Sequence, residues 1–176
     1  MRIFAVLLVL EAAALAAPQS QCVTSPTGDS ACGFDCRVSP TGVARCARTR
    51  YGACVTPPAG DLVCWDPAPE LRRLLSRANL DVKGRCVVSP AGTVACGWDC
   101  RIAPDGNARC AQTPVGACAV PAWGNVTCWD PSIEVIWQML ADEALQRAEC
   151  KVGPTAVACG YHCRLTPTSV VCAPMP

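Results

Sequence analysis

Residue types that enzymes and nucleic-acid-binding proteins depend on are scarce in this chain. Its 176 residues include a single histidine, 5% aromatic and 16% charged residues, and the formal net charge is +1. Proteins that bind DNA or RNA use a basic excess to displace counterions from phosphates, so near-neutrality argues against nucleic acid as a partner. Catalysis needs a nucleophile with a base, paired carboxylates or a metal with an open position. We therefore expect that the chain is not an enzyme, and that it has no catalytic residues and no cofactor.

Long apolar segments are also scarce, and the one at the N-terminus is typical of an export signal. A short positive start precedes the apolar run 3–10, and the A-x-A pattern at 14–16 offers a cleavage site. A run of eight apolar residues is too short to cross a hydrocarbon core of roughly 30 Å. We therefore predict a signal peptide at 1–16, no membrane span, and secretion to the extracellular space, or to the periplasm in a Gram-negative host.

Cysteine, in contrast, is abundant, and its positions repeat with a period of 64 residues. The second set of six lies 64 residues after the first, and a third set begins at the same offset but ends after four. The neighbouring sequence repeats as CGFDCR, CGWDCR and CGYHCR, and CWDP occurs twice. Such self-similarity indicates an array of one structural unit. The cysteines are Cys22, Cys32, Cys36, Cys46, Cys54, Cys64, Cys86, Cys96, Cys100, Cys110, Cys118, Cys128, Cys150, Cys159, Cys163 and Cys172.

Six of the segments between cysteines read C-x9-C, and five of these have P-x-G at the centre, while the sixth, 118–128, has a variant turn. Proline presets the first corner of a type I turn, and glycine supplies the left-handed position that follows it. This three-residue turn joins two antiparallel strands and sets Cys22 opposite Cys32. Both segments of the third unit lose one residue at the turn, which keeps their cysteines opposite each other. The pattern predicts β-hairpins whose two cysteines face one another.

Disulfides are the favoured state of these cysteines. Because the third unit keeps only the first four, those four would pair among themselves and the last two of a full unit would pair together. We favour a staple across each hairpin, while a nested scheme that joins 22 to 46 and 32 to 36 stays open at this stage. Each staple closes a short loop and stabilises the fold by roughly 2–3 kcal/mol.

A thiolate metal site is the alternative use of these cysteines. The C-x3-C spacing at 32 and 36 lies within the range of zinc ligands. Six cysteines per unit do not divide into sets of four, and an exported chain enters a compartment where thiols oxidise. His162 occupies the position held by Asp35 and Asp99 in the other units, which indicates a turn variant. We therefore predict no metal ligands.

Two segments with helical periodicity follow the CWDP motifs. Asp66 and Asp130 each offer an N-cap, with Pro67 and Pro131 at the first helical position. The apolar face of the second helix, 131–148, is too broad for one thin module. Burial between modules is the favoured explanation, and a surface for self-association or for a protein partner is the alternative.

These features predict a small disulfide-rich, mainly β fold of tandem β-hairpin modules joined by two α-helices. The predicted boundaries are the signal peptide at 1–16, module 1 at 17–64, a helical connector at 65–85, module 2 at 86–128, a second helical connector at 129–149, and a truncated module 3 at 150–176.

One repeated position carries an aromatic residue, namely Phe34, Trp98 and Tyr161. Spaced aromatic rings can stack on sugars, so these three are the candidate ligand-contact residues. A core plug is the favoured explanation, because small disulfide-rich folds have few other large side chains to bury. The repeat also sets Arg101 opposite Arg109, and like charges in register need either a neighbouring acid or a bound anion.

The combination of C-G-aromatic-D/H-C-R, C-A-x-T and C-W-D-P resembles a set of uncharacterised exported cysteine-rich repeat proteins of bacteria. The resemblance covers almost the whole mature chain and implies export and repetition, with no activity attached. We expect a secreted protein with a structural or binding role at the cell surface or outside the cell. The alternatives are a glycan-binding or inhibitor-type module and a cysteine-thiolate metal-binding protein.

Overall fold

The computed structural model describes residues 19–58, 60–142 and 145–176, which form short strands and two helices. The signal peptide predicted at 1–16 lies outside the described residues. The strands are β1 (Gln21–Thr24), β2 (Ser30–Val38), β3 (Ala44–Ala47), β4 (Ala53–Val55), β5 (Val63–Trp65), β6 (Arg85–Val88), β7 (Val94–Ile102), β8 (Ala108–Ala111), β9 (Ala117–Ala119), β10 (Thr127–Trp129), β11 (Glu149–Val152), β12 (Val157–Leu165) and β13 (Val170–Ala173). The helices are α1 (Pro69–Arg77) and α2 (Ile133–Ala141).

Each full module consists of a three-stranded antiparallel sheet and a separate two-stranded hairpin. Module 1 has the order β1-β2-β3 with the hairpin β4-β5, and module 2 repeats it as β6-β7-β8 with β9-β10. Module 3 has the sheet β11-β12-β13. Helix α1 lies between modules 1 and 2 in the chain, and α2 lies between modules 2 and 3. The predicted disulfide-rich, mainly β fold class is confirmed.

The hairpin turns have the predicted geometry. Ser25 N–H donates to the Asp29 carbonyl oxygen at 2.7 Å, and Gly28 N–H donates to the Ser25 carbonyl oxygen at 3.0 Å. Gly28 has φ 90°, a conformation that costs a residue with a Cβ more than it costs glycine. This turn places Cys22 directly opposite Cys32 in the sheet.

Module 3 keeps the same cysteine register with shorter turns. Gly153 N–H donates to the Ala156 carbonyl oxygen at 2.8 Å, and Thr166 N–H donates to the Ser169 carbonyl oxygen at 2.8 Å. Each of these bonds closes a two-residue loop between paired strands. The loss of one residue at each turn therefore leaves the hairpins intact, as the sequence predicts.

All sixteen cysteines form disulfides, and each bond closes within its own hairpin. The hairpin-staple scheme is confirmed and the nested scheme is wrong. The pairs are Cys22–Cys32, Cys36–Cys46, Cys54–Cys64, Cys86–Cys96, Cys100–Cys110, Cys118–Cys128, Cys150–Cys159 and Cys163–Cys172.

The largest core cluster lies between the modules. Helix α1 contributes Leu71, Leu74 and Leu75, and α2 contributes Ile136 and Met139, all at most 3% exposed. Aromatic and aliphatic side chains from all three modules complete the cluster. The helices therefore supply the apolar volume that thin two- and three-stranded sheets cannot supply by themselves. Within the described ranges, neither helix has the length and apolar character needed to cross a bilayer.

The predicted N-caps of the helices are wrong. Helix α1 has Ala68 at its N-cap position, and α2 has Ser132, whose Oγ accepts the Val135 N–H at 3.3 Å. The physical reason is that the carboxylates of Asp66 and Asp130 are engaged by other backbone donors, described below. Each helix consequently starts about half a turn or more later than predicted.

Helix α1 occupies only the middle of the helical connector predicted at 65–85. Helix α1 ends at Arg77, and Asn79 follows it with a left-handed φ of 48°. Among the described residues of the predicted helix 131–148, α2 spans Ile133–Ala141, and 145–148 are not helical. The segment that follows is tied to module 2, because Ala148 N–H donates to the carbonyl oxygen of Val115 at 2.7 Å. That tertiary bond replaces the helical one that the apolar periodicity suggested.

Candidate functional site: the repeated motif residues

The C-G-aromatic-D/H-C motif folds as a β-bulge in the middle strand of each sheet. In modules 1, 2 and 3 the register shifts just after the aromatic residue. The next residue lies in the left-handed region: Asp35 has φ 43°, Asp99 has φ 39° and His162 has φ 49°. Aspartate and histidine are enriched in this region among residues other than glycine. The bulge therefore explains why this position accepts either residue type.

In modules 1 and 2 the bulge directs its aspartate toward the neighbouring hairpin. Asp35 Oδ2 accepts the Cys54 N–H at 2.7 Å, and Asp99 Oδ2 accepts the Cys118 N–H at 2.8 Å. A hydrogen bond to a carboxylate is shorter and stronger than a neutral one. Module 3 has no equivalent hairpin in the described residues, and there His162 stands in the aspartate's place. This agrees with the interpretation of His162 as a turn variant.

The aspartate of CWDP holds a loop of its own module. Asp66 accepts hydrogen bonds from Arg48 N–H at 2.8 Å, from Thr49 N–H at 2.9 Å and from Thr49 Oγ1 at 2.7 Å. Asp130 makes the same three bonds in module 2, at 2.9, 2.7 and 2.8 Å. Our sequence reasoning missed this role. The available signal was that C-A-x-T and CWDP occur together in two modules and are both missing from the third.

Replacing Asp130 with alanine is expected to lower the free energy of unfolding by about 2–3 kcal/mol, because it leaves three donors of Gln112 and Thr113 without their acceptor. Asp130→Asn should cost less, since one oxygen still accepts the two Thr113 bonds. Guanidinium unfolding with intact disulfides measures both. The control is Asp81→Ala in an exposed loop, where we expect at most about 0.5 kcal/mol. Equal losses at Asp130 and Asp81 would contradict the assignment.

The candidate ligand-contact aromatics are largely covered by protein. Trp98 is 7% exposed and Tyr161 is 2% exposed. Phe34 is partly buried and packs against the cluster that contains Ala47 and Leu62. Trp98 and Tyr161 therefore offer no open ring face on which a sugar could stack, and the core-plug interpretation fits their positions.

The same aromatics join consecutive modules. Trp65, from CWDP of module 1, meets Trp98 edge to face with ring centroids 5.1 Å apart. Trp129, from CWDP of module 2, meets Tyr161 in the same way at 5.5 Å. Edge-to-face pairs add about 0.5–1.5 kcal/mol beyond the area that they bury. The tryptophan of one module and the bulge aromatic of the next thus form a repeated contact.

Backbone hydrogen bonds accompany each aromatic contact. Gly84 N–H donates to the Tyr51 carbonyl oxygen at 2.8 Å, just before module 2 begins. The bond from Ala148 N–H to the Val115 carbonyl oxygen joins positions 64 residues further along the chain. Each module is therefore connected to the next by one aromatic pair and one main-chain bond at equivalent positions.

Burial also affects the chemistry of the last aromatic. The Tyr161 hydroxyl lies 3.6 Å from Met139 Sδ on α2. Loss of hydration disfavours the charged phenolate, so burial raises the pKa of Tyr161 above its ordinary value. The ring acts here as a neutral apolar group.

The opposed arginines lie in register as predicted, with acids beside them. Arg101 pairs with Arg109 across β7 and β8. The Arg101 guanidinium lies 3.0 Å from Asp99 Oδ1 and is half exposed to solvent. Module 1 shows the same arrangement around Asp35, with longer distances. A neighbouring carboxylate therefore offsets part of the like-charge repulsion.

Disulfide formation leaves the cysteines without the thiolates that bind metal ions. Over the described part of the chain, no group of three or more His, Cys, Asp or Glu side chains is placed to hold an ion. Comparison of the chain with protein-family models yields no match, and searches of curated proteins and of solved structures also yield none.

Proposed function

We propose that this chain is a secreted protein with a structural or binding role at the cell surface or outside the cell, and that it is not an enzyme. The observation that carries the proposal is the set of eight disulfides, one in each hairpin. Such bonds form and persist in oxidising compartments outside the cytosol. The resemblance to exported bacterial cysteine-rich repeat proteins supports the same compartment.

The placement of the disulfides suits a durable extracellular framework. Every bond is local, so each hairpin stays covalently closed even when contacts between modules break. Cross-linking reduces the entropy of the unfolded chain and so favours the folded state. Modules of this size have too little apolar core to be stable without such help.

An intact mass of the exported protein tests the proposal. We expect a mass lower by sixteen hydrogens than that of the reduced chain, since eight disulfides form. We also expect no alkylation without reductant and a mature N-terminus at residue 17. The control is the same protein reduced before alkylation, which should take up one label per cysteine. Alkylatable thiols together with bound zinc in the native protein would contradict the proposal and favour the thiolate metal-binding alternative.

We also propose, more narrowly, that the chain associates with itself or with a protein partner through the apolar segment 131–148. Ile136 and Met139 point into the core, whereas Trp137 is 43% exposed and Leu145 is 37% exposed. The Arg77 guanidinium lies 5.7 Å from the centre of the Trp137 ring, so part of this surface is covered within the chain. Self-association or a protein partner would have to use what remains of this surface.

A further inference from the structure

A cleft rich in arginine opens on module 1 and the start of α1. Its volume is about 770 Å³, and its lining includes Arg45, Arg48 and Arg72 with one carboxylate, that of Asp66. Both oxygens of Asp66 already accept hydrogen bonds from the loop that contains Arg48. The one acid in the cleft is therefore engaged by main-chain and hydroxyl donors.

A second cleft of about 680 Å³ adjoins the first on the surface of α1. It shares Arg72 with the first cleft and adds Arg73 and Arg77. We call the two together the arginine cleft, defined by Arg45, Arg48, Arg72, Arg73 and Arg77. The two clefts thus form one extended basic groove, which is larger than a pocket for a single small ion.

The positive charges of the arginine cleft lack acidic partners within the described residues. The ion pairs found there join other basic side chains to Asp35, Asp99 and Glu149. In addition, Arg72 Nε is buried and has no hydrogen-bond acceptor among the described residues. A buried donor without an acceptor is unfavourable, and no described residue satisfies the Nε–H of Arg72 or offsets the charge of its guanidinium.

Module 2 provides an internal comparison, because its counterparts are known from the 64-residue offset. The five counterpart positions hold Arg109, Gln112, Ile136, Trp137 and Ala141, of which only the first is basic. The basic cleft is therefore a property of module 1 and not of the repeat.

In module 2, the residue equivalent to Arg48 covers the face that corresponds to the cleft of module 1. Gln112 Nε2 donates to the carbonyl oxygens of Cys96 and Cys110, at 3.0 and 3.1 Å. These two cysteines are the counterparts of Cys32 and Cys46, which line the open cleft of module 1. A neutral side chain thus covers in module 2 the face that module 1 leaves open.

We propose that the arginine cleft binds an acidic polysaccharide through its carboxylate or sulfate groups. Guanidinium groups bind planar oxyanions with two parallel hydrogen bonds. Five arginines spread over two adjoining clefts fit a chain with repeated anionic groups better than they fit a single ion. This proposal goes beyond the extracellular role proposed above, because it names a ligand. The mass experiment above tests only disulfide formation, so the two proposals can fail independently.

The charge distribution favours a short stretch of flexible chain over nucleic acid. Residues 22–85 contain nine basic and six acidic side chains, whereas residues 86–149 contain three basic and seven acidic ones. A long rigid duplex that crossed the cleft would extend over the acidic module 2, where repulsion offsets the attraction. A flexible polysaccharide can place a few anionic groups in the cleft and turn away from module 2.

The test is calorimetric titration of the oxidised protein with polygalacturonate, which carries carboxylates, and with dextran sulfate, which carries sulfates. We expect the double variant Arg48→Gln/Arg72→Gln to raise Kd at least about tenfold. The matched control Arg109→Gln removes an arginine at the counterpart of Arg45 and should change Kd less than about twofold. Added salt should weaken binding by the unchanged protein, and neutral dextran should not bind.

Binding of either polyanion with this dependence on the variants supports the proposal, and the stronger ligand identifies the anionic group. Equal affinities of the double variant and the unchanged protein would overturn it, as would failure of both polyanions to bind. If duplex DNA binds more tightly than either polyanion, and the same variants abolish that binding, the proposed polysaccharide ligand is wrong and the cleft binds nucleic acid. If Arg72→Gln lowers the unfolding midpoint, the single variant Arg48→Gln replaces the double variant in the titration. Glutamine is compatible with the fold there, because Gln112 occupies the equivalent position in module 2.

Discussion

Trp98→Ala is expected to lower the free energy of unfolding by about 3–5 kcal/mol, the usual cost of removing a large buried aromatic side chain. Trp98 is 7% exposed and belongs to the core cluster between the modules. The variant also loses the edge-to-face contact with Trp65, which joins module 1 to module 2. The disulfides remain closed in the variant, so the loss should appear as weakened packing between modules and not as reshuffled cysteines.

Guanidinium unfolding under non-reducing conditions, followed by near-ultraviolet circular dichroism, measures this loss. The matched control is Trp123→Ala, because Trp123 is 57% exposed and should change the free energy of unfolding by at most about 0.5 kcal/mol. The experiment also bears on the glycan-binding alternative. If Trp98→Ala kept its full stability and lost retention on a polysaccharide column, the core-plug interpretation would be wrong and a stacking site would be supported.

Gly97→Ala is expected to destabilise module 2 by at least about 3 kcal/mol, through two separate effects. Gly97 has φ 145°, where a residue with a Cβ is strained. A Cβ at this position would also fall on the carbonyl oxygen of Ala111 in the paired strand. Because this neighbour is backbone, it cannot move aside without breaking the sheet that holds the bulge.

The control for this prediction separates strain from steric overlap. Gly92 also has a positive φ, of 83°, but a Cβ there would meet no atom within 4 Å. Gly92→Ala should therefore cost only the backbone strain, about 1–2 kcal/mol. Thermal unfolding of the two variants at equal oxidation measures the difference. Similar midpoints for both would show that the close approach to Ala111 has no energetic weight.

Covalent and non-covalent interactions stabilise different parts of this molecule. Covalent bonds act inside hairpins, whereas aromatic pairs, helix packing and two main-chain bonds act between modules. Arrays of repeats are stabilised by the sum of such internal and neighbouring terms. A change at an interface residue should therefore loosen the array while each hairpin stays closed, which is the pattern expected for Trp98→Ala.

Local features of the fold could be predicted from sequence because they depend on few consecutive residues. Turn length and the period of two along a strand decide which residues face each other, so Cys22 opposite Cys32 followed from P-x-G and its spacing. The shortened turns of module 3 followed by the same reasoning. The disulfide pairs then required only that facing cysteines in a hairpin lie close enough to bond.

The helix boundaries and the aspartate roles could not be predicted, because local signals competed with distant partners. Asp66 before a proline is a good N-cap by sequence, yet its oxygens bind donors 17 and 18 residues earlier in the chain. A carboxylate that accepts three such bonds gains more than one that caps a helix end.

By itself, then, the amino-acid sequence determined the hairpins and their registers, and it favoured the cysteine pairs that the structure contains. Tertiary structure alone decided that the core lies between modules, that Trp98 and Tyr161 are buried in it, and that the arginines of module 1 and α1 line one cleft. The physical reason is range. Hairpin geometry is set within about a dozen residues, whereas burial and charge clustering depend on how separate modules and helices pack together.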